Sequence, residues 1–301
     1  MKHLSIIQTE QFNSIINYIS ERIRSLKEID IVSIAIFGSS ARLGEYSGSD
    51  VDLLIVADGI SDDLIQRIPD IVRIKRTLSV GLPLDILLVS KDECRLNFIN
   101  HNPLFLDIAF DAKIIFDNGF LVNLIRETKD YVESSKIHRG DGSWSFPVED
   151  KKETYLSKVS NKEWSVSWLA DSKRDLLAAS YLLEATLYEK SVYHCQQAVE
   201  KAIKAILAVW GEFIKSHFVA DTLRSECEKR DLGDWKEKLL EIADIGDKIE
   251  PQVSLSRYLR LVDNGLWRPY EKYNTDIASN YVKNAKFVIE TGEEFIEWWF
   301  R

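Results

Sequence analysis

Apolar positions along the first half of the chain change period several times. Phe12, Ile15, Ile16, Ile19, Ile23 and Leu26 recur at steps of three and four, which predicts an amphipathic opening helix with Thr9 as its N-cap. Three apolar runs rich in β-branched residues follow at 30–37, 50–56 and 84–89, each of strand length. Leu64, Ile65, Ile68, Ile71 and Val72 place another helix between the second and third runs, and 113–116 reads as a short fourth strand closed by Asp117-Asn118-Gly119. Beyond about Phe120 the periodicity is helical throughout. It predicts helices over 164–188, 192–210 with Gly211 as C-cap, 219–229, 234–248 and 275–299. A polar, turn-rich stretch around Arg139-Gly140-Asp141-Gly142-Ser143 and Pro147 suits a connector. The reading is therefore an α+β domain over 1–133, a linker over 134–160 and an all-α bundle over 161–301.

Length and composition agree with two domains. A chain of 301 residues with 45% hydrophobic and 29% charged residues gives each half enough apolar surface for its own core. All eight tryptophans lie at or beyond Trp144, so the halves differ in composition as well as period. The longest apolar runs fall far short of the roughly 20 residues that cross a bilayer. The N-terminus lacks the basic stretch and apolar core of a leader, which makes the cytoplasm the expected compartment. Cys94, Cys195 and Cys227 have no metal-binding spacing and read as free thiols. A net charge of -9 works against non-specific nucleic-acid binding, and it requires metal ions or a local basic patch for any anionic substrate.

The chemistry concentrates in Phe37-Gly38-Ser39-Ser40-Ala41-Arg42-Leu43-Gly44-Glu45-Tyr46-Ser47-Gly48-Ser49-Asp50-Val51-Asp52. Gly38 and Ser39 end a strand and lead toward a helical turn, where free backbone N–H groups suit a phosphate chain, and Arg42 reads either as a triphosphate contact or as a solvated surface arginine. Asp50 and Asp52 are two apart at the start of the next strand, so their side chains share a face. Carboxylates held this close resist ionising together unless divalent cations bind between them, and oxygen-only ligands favour Mg²⁺ or Mn²⁺. Asp85 sits inside the apolar run Leu82-Pro83-Leu84-Asp85-Ile86-Leu87-Leu88, where a lone charge needs a partner. If the strand of Asp85 neighbours that of Asp50 and Asp52, the three acids can share two metals.

This pattern resembles the DNA polymerase β-type nucleotidyltransferase superfamily, and in particular its minimal branch. Gly38-Ser39, Asp50-Val51-Asp52 and Asp85 take the positions of that family's Gly-Ser turn, Asp-x-Asp and third acid. The resemblance implies a mixed sheet flanked by helices, two Mg²⁺ ions and an NTP donor, with ATP expected. It implies transfer of a nucleoside monophosphate to a hydroxyl acceptor, with Asp50, Asp52 and Asp85 as catalytic metal ligands. One departure is Ala41-Arg42-Leu43-Gly44, where the branch reads Ala-Arg-Gly; Leu43 would be strained if its position required positive φ.

The second half resembles the HEPN family through residues 171–188 and Val192-Tyr193-His194-Cys195-Gln196-Gln197-Ala198-Val199-Glu200-Lys201-Ala202-Ile203-Lys204. Some members of that family are ribonucleases with an Arg, four to six residues, then His. No Arg stands at that distance before His194 or His217, and the Arg95 to His101 match lies in the other domain. His194, Gln197, Lys201 and Lys204 form one polar helical ridge, either lining a groove toward the nucleotide or facing solvent. Arg73, Lys75 and Arg76 read as a solvated helix face, and Asp107 and Asp111 as caps or turn formers. Trp298-Trp299-Phe300 must pack on its own domain or on a second subunit, which would give a homodimer. The alternative to an active enzyme is a catalytically weak nucleotide-binding or toxin/antitoxin-type regulatory module acting through the helical half.

Overall fold

The computed structural model describes residues 2–22, 25–26, 28–43, 50–78, 83–263 and 265–301, with side chains from residue 10 onward. By internal contacts the chain divides into residues 1–135 and 136–301.

In the first unit α1 (Lys2–Arg22) precedes β1 (Asp30–Phe37), a short α2 (Gly38–Leu43) and β2 (Val51–Asp58). Then come α3 (Ile68–Leu78), β3 (Leu84–Ser90), α4 (Lys91–Ile99), α5 (Pro103–Asp111), β4 (Lys113–Asp117) and α6 (Phe120–Ser134). The strands form a mixed sheet in the order β3-β2-β1-β4, with β2 antiparallel to β1 and parallel to β3. Both faces are covered, and the strand alternation divides the core in two. Val51, Leu53, Ile55 and Ala57 pack with α1 and α3, through Phe12, Ile15, Ile19, Ile74 and Leu78. Leu54 and Val56 turn to the opposite face and pack with Cys94, Phe98, Phe105, Ile108, Leu121 and Leu124 of α4, α5 and α6. Thr9 is no N-cap, because α1 already runs from Lys2.

An ion pair braces β3. Arg67 is buried at 1% exposure and grips Glu93 of α4 with both terminal nitrogens at 2.6 and 2.7 Å, while also donating to the Leu88 carbonyl at 3.2 Å. Glu93 completes a capping box with Ser90 at the head of α4. The Arg67 hydrogen bond holds the Glu93 carboxyl below the usual carboxylate range, against an opposing push from burial.

The second unit is mostly helical, but several short strands correct the expectation of helix alone. Residues 138–145, expected in a linker, supply β5 (His138–Arg139) and β6 (Ser143–Ser145), which pair in a three-stranded sheet with β7 (Glu212–Ile214). Trp144 and Phe146 are buried there, and Phe146 donates its N–H to the Gly211 carbonyl at 2.9 Å. Gly211 has φ +74, and a Cβ on it would stand 2.4 Å from the Phe146 carbonyl oxygen, so the approach requires glycine.

The longest helices are α7 (Asn161–Glu184), α8 (Tyr188–Val209) and α13 (Thr275–Trp299). Between the last two lie α9 (Ala220–Glu228), α10 (Trp235–Ile249), α11 (Gln252–Leu255), the hairpin β8 (Arg260–Val262) with β9 (Gly265–Trp267), and α12 (Pro269–Lys272). The break between α7 and α8 comes four residues before the predicted helix end, because Thr186 takes a left-handed conformation at φ +59. Helix α8 is the central rod, with Ala198, Val199, Ala202, Ile203 and Ile206 in the core. Trp299 is buried, Trp298 and Phe300 pack on the same cluster, and Trp210 meets Phe295 and Trp299 edge-on. The apolar C-terminal group is thus used inside its own unit, the first of the two places expected for it, with Trp298 and Phe300 half-buried.

Candidate active site

Strand direction brings the sequence-predicted residues to one end of the sheet. β1 ends at Phe37, which lies opposite Asp52 near the start of antiparallel β2. In the parallel pair, Asp52 is the register partner of Asp85 at the start of β3. Register partners on neighbouring strands stand about 4.8 Å apart and point to the same face. The burial pattern agrees: Asp52 shares its alternation with Leu54 and Val56, and Asp85 with Leu87 and Val89, all packed toward α4, α5 and α6. Asp50 is exposed immediately before β2, two residues from Asp52.

Gly38 is pressed against Asp52. It has φ +73, and an added Cβ would lie 2.0 Å from Asp52 Oδ2, so the backbone conformation and the close approach both require glycine. Ser39 follows in the first turn of α2. Leu43 is the last residue of α2 and is helical, so the anticipated strain does not arise there. Gly44 lies outside the described residues. Arg42 stands one helical turn after Gly38 and pairs with Asp111 of α5 at 3.8 Å. Asp111 is therefore no cap: α5 is capped by Asn102, whose Oδ1 accepts from Leu104 N at 3.0 Å. Arg73 is tied to Glu28 at 2.7 Å on the far side of the sheet.

The donors at this end are all carboxylate oxygens, the set that suits a hard divalent cation. Among the described residues, no three His, Cys, Asp or Glu side chains are already gathered around one point. Backbone register brings the acids together, and exposed side chains change rotamer on the picosecond to nanosecond scale. Burial pushes the thiols of Cys94 and Cys195 up to about 12 and that of Cys227 to about 11, which leaves them unreactive.

In the helical unit the predicted polar ridge is half-buried and engaged with its own neighbours. His194 Nδ1 meets Asp175 Oδ1 at 2.9 Å, Lys201 bridges Asp171 and Asp175 at 2.6 Å each, and Gln197 donates to Gln196 at 2.6 Å. Lys204 and His217 meet the buried Glu200 at 2.8 and 2.9 Å. Burial pushes the Glu200 carboxyl up, yet Lys204, Gln196 and His217 outweigh it and leave the group below its usual range. No sequence periodicity signals Asp171 and Asp175, because they lie on α7 rather than α8, whereas Glu200 stands four residues before Lys204 on α8 itself.

Comparison with known proteins agrees with this division. The profile of the nucleotidyltransferase domain family matches residues 16–119, and that of the HEPN domain family matches residues 165–300. A Methanocaldococcus jannaschii protein named "Putative toxin MJ1304" is 33% identical over 138 residues, covering 46% of this chain and 91% of the relative. A second from that organism, "Putative protein adenylyltransferase MJ1305", is 30% identical over 131 residues, covering 42% of this chain and 87% of the relative. The crystal structure of TT1696 from Thermus thermophilus aligns with 44% of this chain and 97% of its own at 22% identity, with a TM-score of 0.37. The acid-bearing sheet end and the α8-centred helical unit thus fall inside the two matched segments, and the chain belongs to the nucleotidyltransferase family in its first half and to the HEPN family in its second.

Proposed function

We propose that the chain transfers the AMP moiety of ATP to a hydroxyl group on a protein, with release of pyrophosphate. The observation that carries the reading is the in-register placement of Asp52 beside Asp85, with Gly38 packed against Asp52 at the same strand ends. Backbone N–H groups at the Gly38-Ser39 turn hold the triphosphate, and Arg42 contacts its terminal phosphates. Asp50, Asp52 and Asp85 would hold Mg²⁺ or Mn²⁺, two ions by family resemblance, which supply charge neutralisation and a lowered pKa for the incoming hydroxyl. Asp85, exposed at the start of β3, accepts that hydroxyl's proton. The hydroxyl oxygen bonds to the α-phosphorus, the bond to the β-phosphate oxygen breaks, and pyrophosphate leaves with the electron pair.

The protein acceptor rests on the name of the relative that is 30% identical over its matched segment. Incubation with α-labelled ATP, Mg²⁺ and a cell extract tests it. Label is expected on a polypeptide, stable to nuclease and lost on protease treatment. Label confined to a small molecule or to RNA would overturn the protein acceptor.

A second reading, a nucleotide-sensing regulatory pair, is favoured by the other relative, whose name is that of a toxin. Calorimetric ATP binding without pyrophosphate release in the presence of any acceptor would support it over transfer.

A further inference from the structure

We propose that Asp111 is a positioning residue that aims Arg42 at the terminal phosphates of the bound nucleoside triphosphate. The inference rests on the nucleotide-binding part of the reading above and adds a residue that the nucleotidyltransferase motif does not contain.

The argument begins with placement. Asp111 is the last residue of α5, two positions before Lys113, which pairs with Ile36 one step from the end of β1. The acid therefore stands at the same end of the sheet as Gly38, Asp52 and Asp85. Helix α5 packs in the cluster on the face that Asp52 and Asp85 share. Arg42 follows Gly38 by four residues, so the two lie on one face of α2, and Gly38 is the residue in contact with Asp52.

The two partners differ in freedom. The side chain of Arg42 is 44% exposed, whereas that of Asp111 is 11% exposed and is carried by a helix packed into the core. An arginine without a fixed neighbour samples many rotamers, and ordering it on ligand binding costs side-chain entropy. A carboxylate fixed at 3.8 Å biases the guanidinium by charge and is too distant to consume a donor as a direct hydrogen bond. The remaining edge of the planar fork stays available for paired N–H contacts to phosphate oxygens. Because the pair is partly open to solvent, the effect is one of orientation and belongs in nucleotide affinity rather than in the rate of the chemical step.

The test is a double-variant cycle on the full chain, read by calorimetry with Mg²⁺ and either ATP or AMP. Arg42→Ala is expected to weaken ATP binding about tenfold and Asp111→Asn about fivefold, with the double variant no weaker than Arg42→Ala alone. AMP affinity should stay within about twofold in all of them, because AMP lacks the terminal phosphates. Asp111→Glu, which keeps the charge, should recover most of the loss. Unchanged ATP affinity in Asp111→Asn, losses that multiply in the double variant, or a parallel fall for AMP would each overturn the proposal. Asp111→Ser is the second variant should Asp111→Asn fail to fold, and a failure of both would make the acid a structural requirement and reject a positioning role. Since binding is the readout, a wild type that binds ATP but releases no pyrophosphate would sink the transfer reading and leave this one standing.

Discussion

Gly38 is the residue on which the backbone turn and the proposed site depend together. Its left-handed φ, and the 2.0 Å that would separate an added Cβ from Asp52 Oδ2, mean that any side chain must displace the carboxylate or the turn. Gly38→Ala is expected to cost on the order of 1–3 kcal/mol of stability from the backbone conformation alone. It should also lower pyrophosphate release about a hundredfold, a larger effect than that stability change produces in a folded enzyme. Urea unfolding and a pyrophosphate assay on the same sample separate the two losses. Equal activity of Gly38→Ala and wild type would mean that the Asp52 carboxylate is not used where the structure puts it.

At the level of elements, β3 presents Asp85 and is anchored at its other end by Arg67 and Glu93. Glu93→Gln leaves a buried guanidinium without its counter-charge and is expected to cost about 3 kcal/mol at pH 7. The pH dependence has a definite sign. Arg67 lowers the folded-state pKa of Glu93, so the pair's stabilisation is complete above the unfolded value of about 4.3 and is lost as pH falls through the folded value. Urea midpoints of wild type and Glu93→Gln should therefore differ at pH 7 and converge only at a pH below the folded-state value, which itself lies under the unfolded value of about 4.3. A constant difference at both pH values would remove the ion pair as its source.

The same element marks what the sequence reveals and what it hides. β1, β2 and β3 are legible because an apolar run of strand length has few other readings, and Asp85 is conspicuous as an acid within one. The capping boxes at Ser90-Lys91-Asp92-Glu93 and Ser160-Asn161-Lys162-Glu163 carry a local signal, and the second places the start of α7 at Asn161 rather than at 164. Partners distant in the chain leave no such trace. Arg67 meets Glu93, 26 residues away, and Arg42 meets Asp111, 69 residues away, through tertiary packing that periodicity does not encode.

For the molecule as a whole, the division at 135/136 makes a claim about folding that differs from the polar composition of 134–160. Trp144 and Phe146 are buried in the second unit, at 1% and 6% exposure. Losing each large aromatic costs about 3–5 kcal/mol, which together approaches the roughly 5–15 kcal/mol stability of a typical domain. A fragment spanning 136–301 is expected to melt cooperatively, whereas one starting at 161 should lack near-UV circular dichroism or aggregate. Comparable melting of the two would show that β5 and β6 contribute little to the helical unit.

In the proposed reaction the pairing of Asp52 with Asp85 joins fold to chemistry, so the decisive experiment is pyrophosphate release with Mg²⁺ and ATP in wild type, Asp52→Asn, Asp85→Asn and the double variant. Each single change is expected to cut the rate about a thousandfold, and the double variant should fall little further, because residues acting as one unit do not contribute separately. Wild-type turnover in a folded Asp85→Asn protein would contradict a shared site.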